Sequence, residues 1–293
     1  MAGHAMTTAA GGTLWTAGGS FWGGETKYIG DTVLRLAAGT NVWDIVCTLE
    51  GGFAHGGSVA QGSEWWLAGG FDSRGPSSTI RSLDLTRGHV RRLTDLPEPR
   101  AYCGAALLEN DLWIVGGTVR DGDYSNLPAT AFRVDTRTGE IRRLDGPAIV
   151  NPLVLVFKGE IHVLPGSIWS DERKRLESPA DVWIYRLAVE RWIRIPFPHA
   201  LPRGLSGVAI DVRRAFLAGG VAVQAPVGKI ERRTWFYDAV DGSLAPGPAL
   251  PEPRLASAVT TDGATICLSG GEDKPRGRTG TVWQLPVPAG AVK

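Results

Sequence analysis

Residues 112–117 read Leu112-Trp113-Ile114-Val115-Gly116-Gly117, and Pro99-Arg100 stands 16 positions before the first of those two glycines. An apolar run of β-branched and aromatic residues that stops on a glycine pair reads as a strand entering a tight turn. The same pattern recurs outward in both directions. Glycine doublets follow apolar runs at Gly18-Gly19, Gly69-Gly70, Gly219-Gly220 and Gly270-Gly271, and a degenerate Pro165-Gly166 fills the remaining gap. Successive spacings are 51, 47, 49, 54 and 51 residues, so six units cover nearly all of the 293-residue chain. A fixed period of this length marks a repeat architecture.

Each unit has the same internal order. After the doublet come a variable loop and a further β run. Two apolar residues then recur seven apart, at Leu36/Trp43, Leu83/Val90, Val134/Ile141, Tyr185/Trp192 and Tyr237/Leu244. Turn residues separate them, as in Asp135-Thr136-Arg137-Thr138-Gly139. Pro-Arg precedes the doublet by 16 residues at Arg100, Arg203 and Arg254. A unit of four short strands cannot bury both faces alone, whereas six units in a ring bury every sheet between two neighbours. Tryptophans at shared unit positions (Trp43 and Trp192, Trp66 and Trp113) are then wedges between blades.

The doublet, the aromatic pair seven apart at Tyr185 and Trp192, and the Pro-Arg opening resemble the kelch repeat, and the resemblance covers essentially the whole chain. It implies an all-β fold: a six-bladed β-propeller of mostly four-stranded antiparallel blades, as a single domain over residues 1–293. The expected blades are 4–49, 53–97, 100–147, 149–197, 203–250 and 254–290. Only Pro286 to Lys293 remain for the outer strand of the sixth blade, and the two prolines there disfavour a central strand. That blade is therefore expected to be three-stranded or raggedly finished.

Composition narrows the function classes. Apolar residues make up 43% and charged residues 21%, an ordinary soluble balance. Lys+Arg 31 against Asp+Glu 30 leaves a net charge of +1, which argues against a nucleic-acid partner. No apolar stretch approaches about 18 residues, so no membrane span is expected. The first residues lack a basic and then apolar signal, and the three cysteines are too scattered for a disulfide framework; both favour a cytoplasmic protein.

Strand parity places the Pro-Arg turns, the residues after each doublet and the longest loops on one rim of the central channel. Loops on a rigid scaffold are where function concentrates. Aligning units on their doublets and on Arg100 puts Ala2, Phe53, Ile149, Arg203 and Arg254 at one position. Two residues on, His4, His55, Tyr102 and Asn151 fall side by side, facing Leu205 and Ala256. A half-polar, half-apolar cup edged with arginines is the shape of a small-molecule site. Imidazole titrates near neutrality and a phenol can orient it or share its proton, so His55 with Tyr102 or His4 is the candidate catalytic pair. Arg100, Arg203 and Arg254 could hold a carboxylate or phosphate through a planar fork. Asn151, Glu272, Asp72, Trp22 and Trp169 are further candidate substrate contacts on the same rim.

Two functions follow. The first is a cofactor-independent enzyme performing acid/base isomerisation, epimerisation, cyclisation or elimination on a polar or anionic small molecule. The resemblance to bacterial stand-alone kelch enzymes of the sialic-acid mutarotase type supports it. The second is a protein- or peptide-binding scaffold using the same loop face, to which Phe21, Trp22, Tyr28, Tyr124 and Trp169 are equally suited. No metal is expected, because His4 and His55 supply at most two ligands. Kelch enzymes of the galactose-oxidase type use copper and a tyrosine cross-linked to cysteine. Tyr102 and Cys103 are adjacent on a strand and point to opposite faces, so that chemistry is not expected here.

Overall fold

The computed structural model describes residues 1–197, 199–222 and 228–288. Five four-stranded sheets and one three-stranded sheet repeat a single plan: antiparallel strands that run outward from a central axis in chain order. Blade 1 comprises Ala5–Ala9, Thr13–Ala17, Thr32–Leu36 and Trp43–Thr48. Blade 2 comprises Gly57–Gln61, Glu64–Ala68, Thr79–Asp84 and His89–Asp95; blade 3, Gly104–Leu108, Asp111–Val115, Thr130–Asp135 and Ile141–Asp145. Blade 4 comprises Leu153–Phe157, Glu160–Leu164, Asp181–Arg186 and Arg191–Pro196; blade 5, Ser206–Ala209, Arg214–Ala218, Thr234–Asp238 and Leu244–Pro246. Blade 6 has three strands, Ala258–Thr261, Thr265–Ser269 and Val282–Pro286. No fourth strand follows among the described residues, and the end of the expected blade, at 290, lies outside them. The innermost strands touch in cyclic order, blade 6 returning to blade 1, so the ring is closed and six-bladed.

One apolar cluster fills each gap between blades. Trp15 and Trp65 meet between blades 1 and 2, while Trp66, the next residue along the strand, packs with Ile114 and Phe132 between blades 2 and 3. Period-2 alternation thus sends two consecutive tryptophans into two different cores. Trp113 and Tyr185 serve the gap between blades 3 and 4, Phe157 and Tyr237 the gap between 4 and 5, and Phe216 and Leu268 the gap between 5 and 6. Between blades 6 and 1 the cluster shrinks to Met6, Leu14, Ala258 and Cys267.

The doublets are stitches between blades. The second glycine's N–H donates to a carbonyl at the start of the next blade: Gly19 to Phe53, Gly70 to Arg100, Gly117 to Ile149, Gly220 to Arg254 and Gly271 to Met1, at 2.7–2.8 Å. Both glycines take positive φ, and a Cβ on Gly69 or Gly219 would overlap the very carbonyl its neighbour binds. Only glycine fits.

These stitches and the short bridges beside them set the true equivalence of the units. Ala2, Ala54, Ala101, Val150, Arg203 and Leu255 are the bridging residues in blades 1 to 6. Arg100 and Arg254 therefore correspond to Met1, Phe53, Ile149 and Pro202, and not to Arg203. From the first paired residue of the inner strand to its partner is 11 positions in blade 2 (Gly57 to Ala68) but 12 in blades 1 (Ala5 to Ala17) and 5 (Ser206 to Ala218). One extra residue in the turn between the first two strands shifts everything upstream of it by one. His4 and Leu205 consequently sit one residue beyond the position of His55 and Tyr102, which Gly3 and Gly204 occupy instead.

Candidate functional site

The six equivalent residues Gly3, His55, Tyr102, Asn151, Gly204 and Ala256 ring the mouth of the channel on the doublet face. All have φ between 51° and 64°, the left-handed region that glycine tolerates and other residues occupy at a cost. Backbone hydrogen bonds string five of them into a belt: Gly3 N–H donates to Ala256, His55 to Gly3, Tyr102 to His55 and Asn151 to Tyr102, at 2.7–2.8 Å. The turned backbone lays the His55 ring over blade 1 and the Tyr102 ring against Phe71 of blade 2. A Cβ at Gly3 would overlap the His55 ring, so the absence of a side chain there is what lets the imidazole lie across blade 1.

Below and around the belt runs a cavity of about 870 Å³, the central channel itself, lined by the inner strands of all six blades. At its mouth His55 and Tyr102 have ring centroids 5.2 Å apart, with the Phe71 ring 5.1 Å from Tyr102 and edge-on to it. The His55 Nε2 and the Ser20 hydroxyl share a hydrogen bond of 3.2 Å, and Ser20 donates to the Ala2 carbonyl. Burial, with Lys27 and Arg278 adding positive charge, pushes the His55 pKa down to about 3. Burial raises that of the Tyr102 phenol well above its ordinary value, and Tyr124 and Asp121 act in the same direction. At neutral pH both groups are therefore fixed in their neutral forms.

The variable loops supply the walls. In blade 1 a small hairpin, Ser20–Gly23 with Thr26–Ile29, carries Trp22 and Lys27 as directly opposed cross-strand neighbours. Both line the cavity. The Lys27 ammonium stands 5.1 Å above the Phe71 ring. The loop of blade 6 clasps this hairpin: Arg276 lies 4.7 Å over the Trp22 ring and the Arg278 guanidinium donates to the Ser20 carbonyl. Glu272 is already paired with Arg278 at 2.6 Å. Burial raises the Glu272 pKa while Arg278 pulls it back. Tyr124, from the blade 3 loop, lines the cavity as well.

Of the residues expected from sequence, the structure brings His55, Tyr102, Asn151, Glu272 and Trp22 to the mouth. His4 reaches the cavity wall but turns into the seam between blades 6 and 1. There its Nε2 and the Ser269 hydroxyl lie 2.6 Å apart, and burial takes its pKa down to about 4. The arginines are placed elsewhere. Arg100 and Arg254 have no exposed surface, bind Glu98 and Glu252 at 2.7 Å, and lie 4.9 and 4.2 Å over the rings of Phe132 and Trp283. They brace the blades. Arg203, one position out of register, donates to the Leu176 carbonyl. Asp72 is buried against Arg74, and Trp169 donates to Asp171 on the outlying hairpin of blade 4. Lys27 and Arg278 were invisible to repeat alignment, because they stand on loops that have no counterpart from unit to unit; Tyr124, on such a loop too, was expected as an aromatic of the binding face.

Among the described residues no three His, Cys, Asp or Glu side chains converge as metal ligands, and no helix is long and apolar enough to cross a membrane. All three cysteines are free.

The comparisons with known proteins agree with a kelch-like propeller scaffold. Alpha-scruin of Limulus polyphemus is 24% identical to the chain over 219 residues, covering 69% of this chain and 23% of that protein. The chain thus spans about a quarter of the length of this relative. No family model matches the chain.

Proposed function

We propose that this protein is a kelch-like binding propeller whose loop face receives a protruding segment of a protein partner at the channel mouth. The observation that carries the reading is the state of the mouth's polar groups. His55 is bonded to Ser20, Glu272 to Arg278, and the pKa values of the histidine and the Tyr102 phenol are held far from neutral pH in opposite directions. A general acid or base works best with a pKa near the working pH, and neither His55 nor Tyr102 has one. What remains is a rigid cup with aromatic walls, and exposed aromatics beside it: Phe21 and Tyr28 stack at 5.4 Å on the outer side of the blade 1 hairpin. Aromatic side chains around a concave centre suit a binding hot spot. The kinship with part of a much longer protein also suits a binding module. A cytoplasmic setting, favoured by the free cysteines, belongs to the same reading.

Peptides selected from a displayed random library on the full chain test it. They should lose affinity about tenfold or more on Tyr124→Ala or Asn151→Arg and keep it on Asp135→Ala, which alters a turn on the opposite face. Equal sensitivity of both faces would overturn the reading.

The second reading, a cofactor-free isomerase or epimerase of the sialic-acid mutarotase type, is favoured by one observation: the 5.2 Å His55–Tyr102 pair at the mouth of the channel cavity. A thermal-shift screen of carboxylated and phosphorylated metabolites, followed on the hits by NMR exchange between anomers and by solvent-deuterium wash-in for epimerisation at carbon, tests that. His55→Ala should abolish the catalysed exchange if the pair does the chemistry.

A further inference from the structure

The arginines singled out by the repeat are unavailable to a ligand, and the one mouth arginine on the cavity wall, Arg278, is held by Glu272 and the Ser20 carbonyl. Lys27 differs. Among the described residues its ammonium has no hydrogen bond and no carboxylate within ion-pair distance, although the side chain is only partly exposed and the amine stands over an aromatic ring. Trp22, its directly opposed strand neighbour, lines the same wall. A cation on a cavity wall with no partner of its own calls for an acceptor that the chain itself does not supply. We propose that Lys27 is the anchor for a carboxylate group of the ligand at the channel mouth.

Charge selects the class. The charged groups facing Lys27 are Asp121 from blade 3, Glu272 and Arg278 from blade 6, and no charge comes from blade 2, whose His55 is neutral. Lys27 and Arg278 against Asp121 and Glu272 sum to zero. A single added negative charge is stabilised by the unpaired ammonium, whereas a phosphate dianion would meet two carboxylates with one free cation between them. The ligand's remaining body faces Tyr102 and Tyr124, so an aromatic or apolar group adjoining the carboxylate fits the walls. Burial lowers the Lys27 pKa, with Asp121 opposing, which brings the amine's loss of charge below the ordinary lysine range.

The inference rests on the mouth being a binding site, but it can fail separately. The probes are phenylacetate, its neutral isostere phenylacetamide, and inorganic phosphate, titrated calorimetrically into the full chain. Phenylacetate should bind at least about tenfold more tightly than phenylacetamide, and phosphate should not compete with it. Lys27→Gln should reduce phenylacetate to the level of the amide, Lys27→Arg should restore most of the difference, and binding should weaken as pH rises through the lowered range of Lys27. Equal affinity for acid and amide, no saturable binding of phenylacetate, or an unchanged affinity in Lys27→Gln would each overturn the assignment. A second arm finds the source of the carboxylate. Phenylalanine-terminated peptides with a free C-terminus, compared with their C-terminal amides, should bind in a Lys27-dependent way if a partner's chain end supplies it; if only phenylacetate does so, the source is a small acid. Library peptides that depend on Tyr124 and Asn151 but ignore Lys27→Gln would sink this anchor and leave the binding-propeller reading standing.

Discussion

The gap between blades 1 and 2 and the gap between blades 6 and 1 are the same joint made in two ways. The first is filled by Trp15, Trp65, Phe53, Leu49 and their neighbours, all buried. The second has four buried apolar residues and is sewn instead with polar groups: His4 to Ser269, Thr8 to Thr260 at 3.2 Å, and the Met1 backbone to Gly271 and Thr279. Five joints link blades that follow one another along the chain. The sixth joins the two ends of the propeller, and nothing covalent holds it. A ring built this way concentrates its hydrophobic stabilisation away from its seam. The seam then depends on hydrogen bonds, whose net contribution is smaller but whose loss in a buried place is expensive.

The largest expected effect breaks the dry joint. Trp65 is wholly buried, and Trp65→Ala removes its indole from a packed interface, so about 3–5 kcal/mol of stability should be lost. Met6→Ala in the seam should cost less, about 2 kcal/mol, because fewer apolar neighbours surround the cavity it leaves. Urea unfolding midpoints for the two variants measure the difference directly. Equal costs would mean that the two gaps are equally well packed.

The next effect belongs to the seam and to pH. His4 is fully neutral in the fold, with its pKa taken down to about 4 by burial from an ordinary 6.5. The unfolded chain therefore binds this proton more readily than the folded one between those two values. Stability conferred by the neutral ring is complete above about pH 6.5 and is lost progressively as pH falls toward 4. The loss attributable to this one residue is on the order of 3 kcal/mol. His55 and His162, pushed to about 3 and 4 by burial, act in the same direction. Melting temperatures recorded from pH 7 to 4 should fall, and the fall should flatten in His4→Gln, which keeps a hydrogen-bonding group beside Ser269 and carries no titrating ring. A slope unaffected by His4→Gln would show that the seam is not where acid acts.

The same two joints explain what could be seen in the sequence. The doublets survive in five units because a neighbouring backbone carbonyl forbids any side chain there, and that geometric demand is local and identical in every blade. The fold was legible from it. The mouth was legible only where the turn between the first two strands keeps its usual length. His55, Tyr102 and Asn151 come from regular blades and were placed together. His4 and Arg203 come from blades 1 and 5, where one added turn residue leaves the motif spacing intact while moving the side chain by one position and thus to another face. Pro202-Arg203 looks identical to Pro99-Arg100 on the page and does a different job in the structure. Lys27 and Tyr124 carry no periodic signal at all, since their loops differ in every blade.

The smallest effect sharpens the account of the mouth. Four non-glycine residues hold left-handed backbone there, and Ala256, with φ 54°, gains nothing evident from it: its methyl group makes no polar contact, unlike the rings of His55 and Tyr102. The equivalent residues in the two adjacent blades, Gly204 and Gly3, meet the same demand without a side chain, at φ 64° and 62°. Ala256→Gly removes a left-handed penalty of roughly 1–2 kcal/mol and adds roughly 0.5–1 kcal/mol of unfolded-chain entropy. The net result should be a gain of about 0.5 kcal/mol, read as a small rise in the urea midpoint. Tyr102→Gly, by the same backbone argument, should relieve strain but lose the ring packed against His55 and Phe71, and so destabilise. If both variants destabilise alike, the belt of turned backbone is not strained at Ala256, and the conformation is dictated by its hydrogen bond to Gly3 alone.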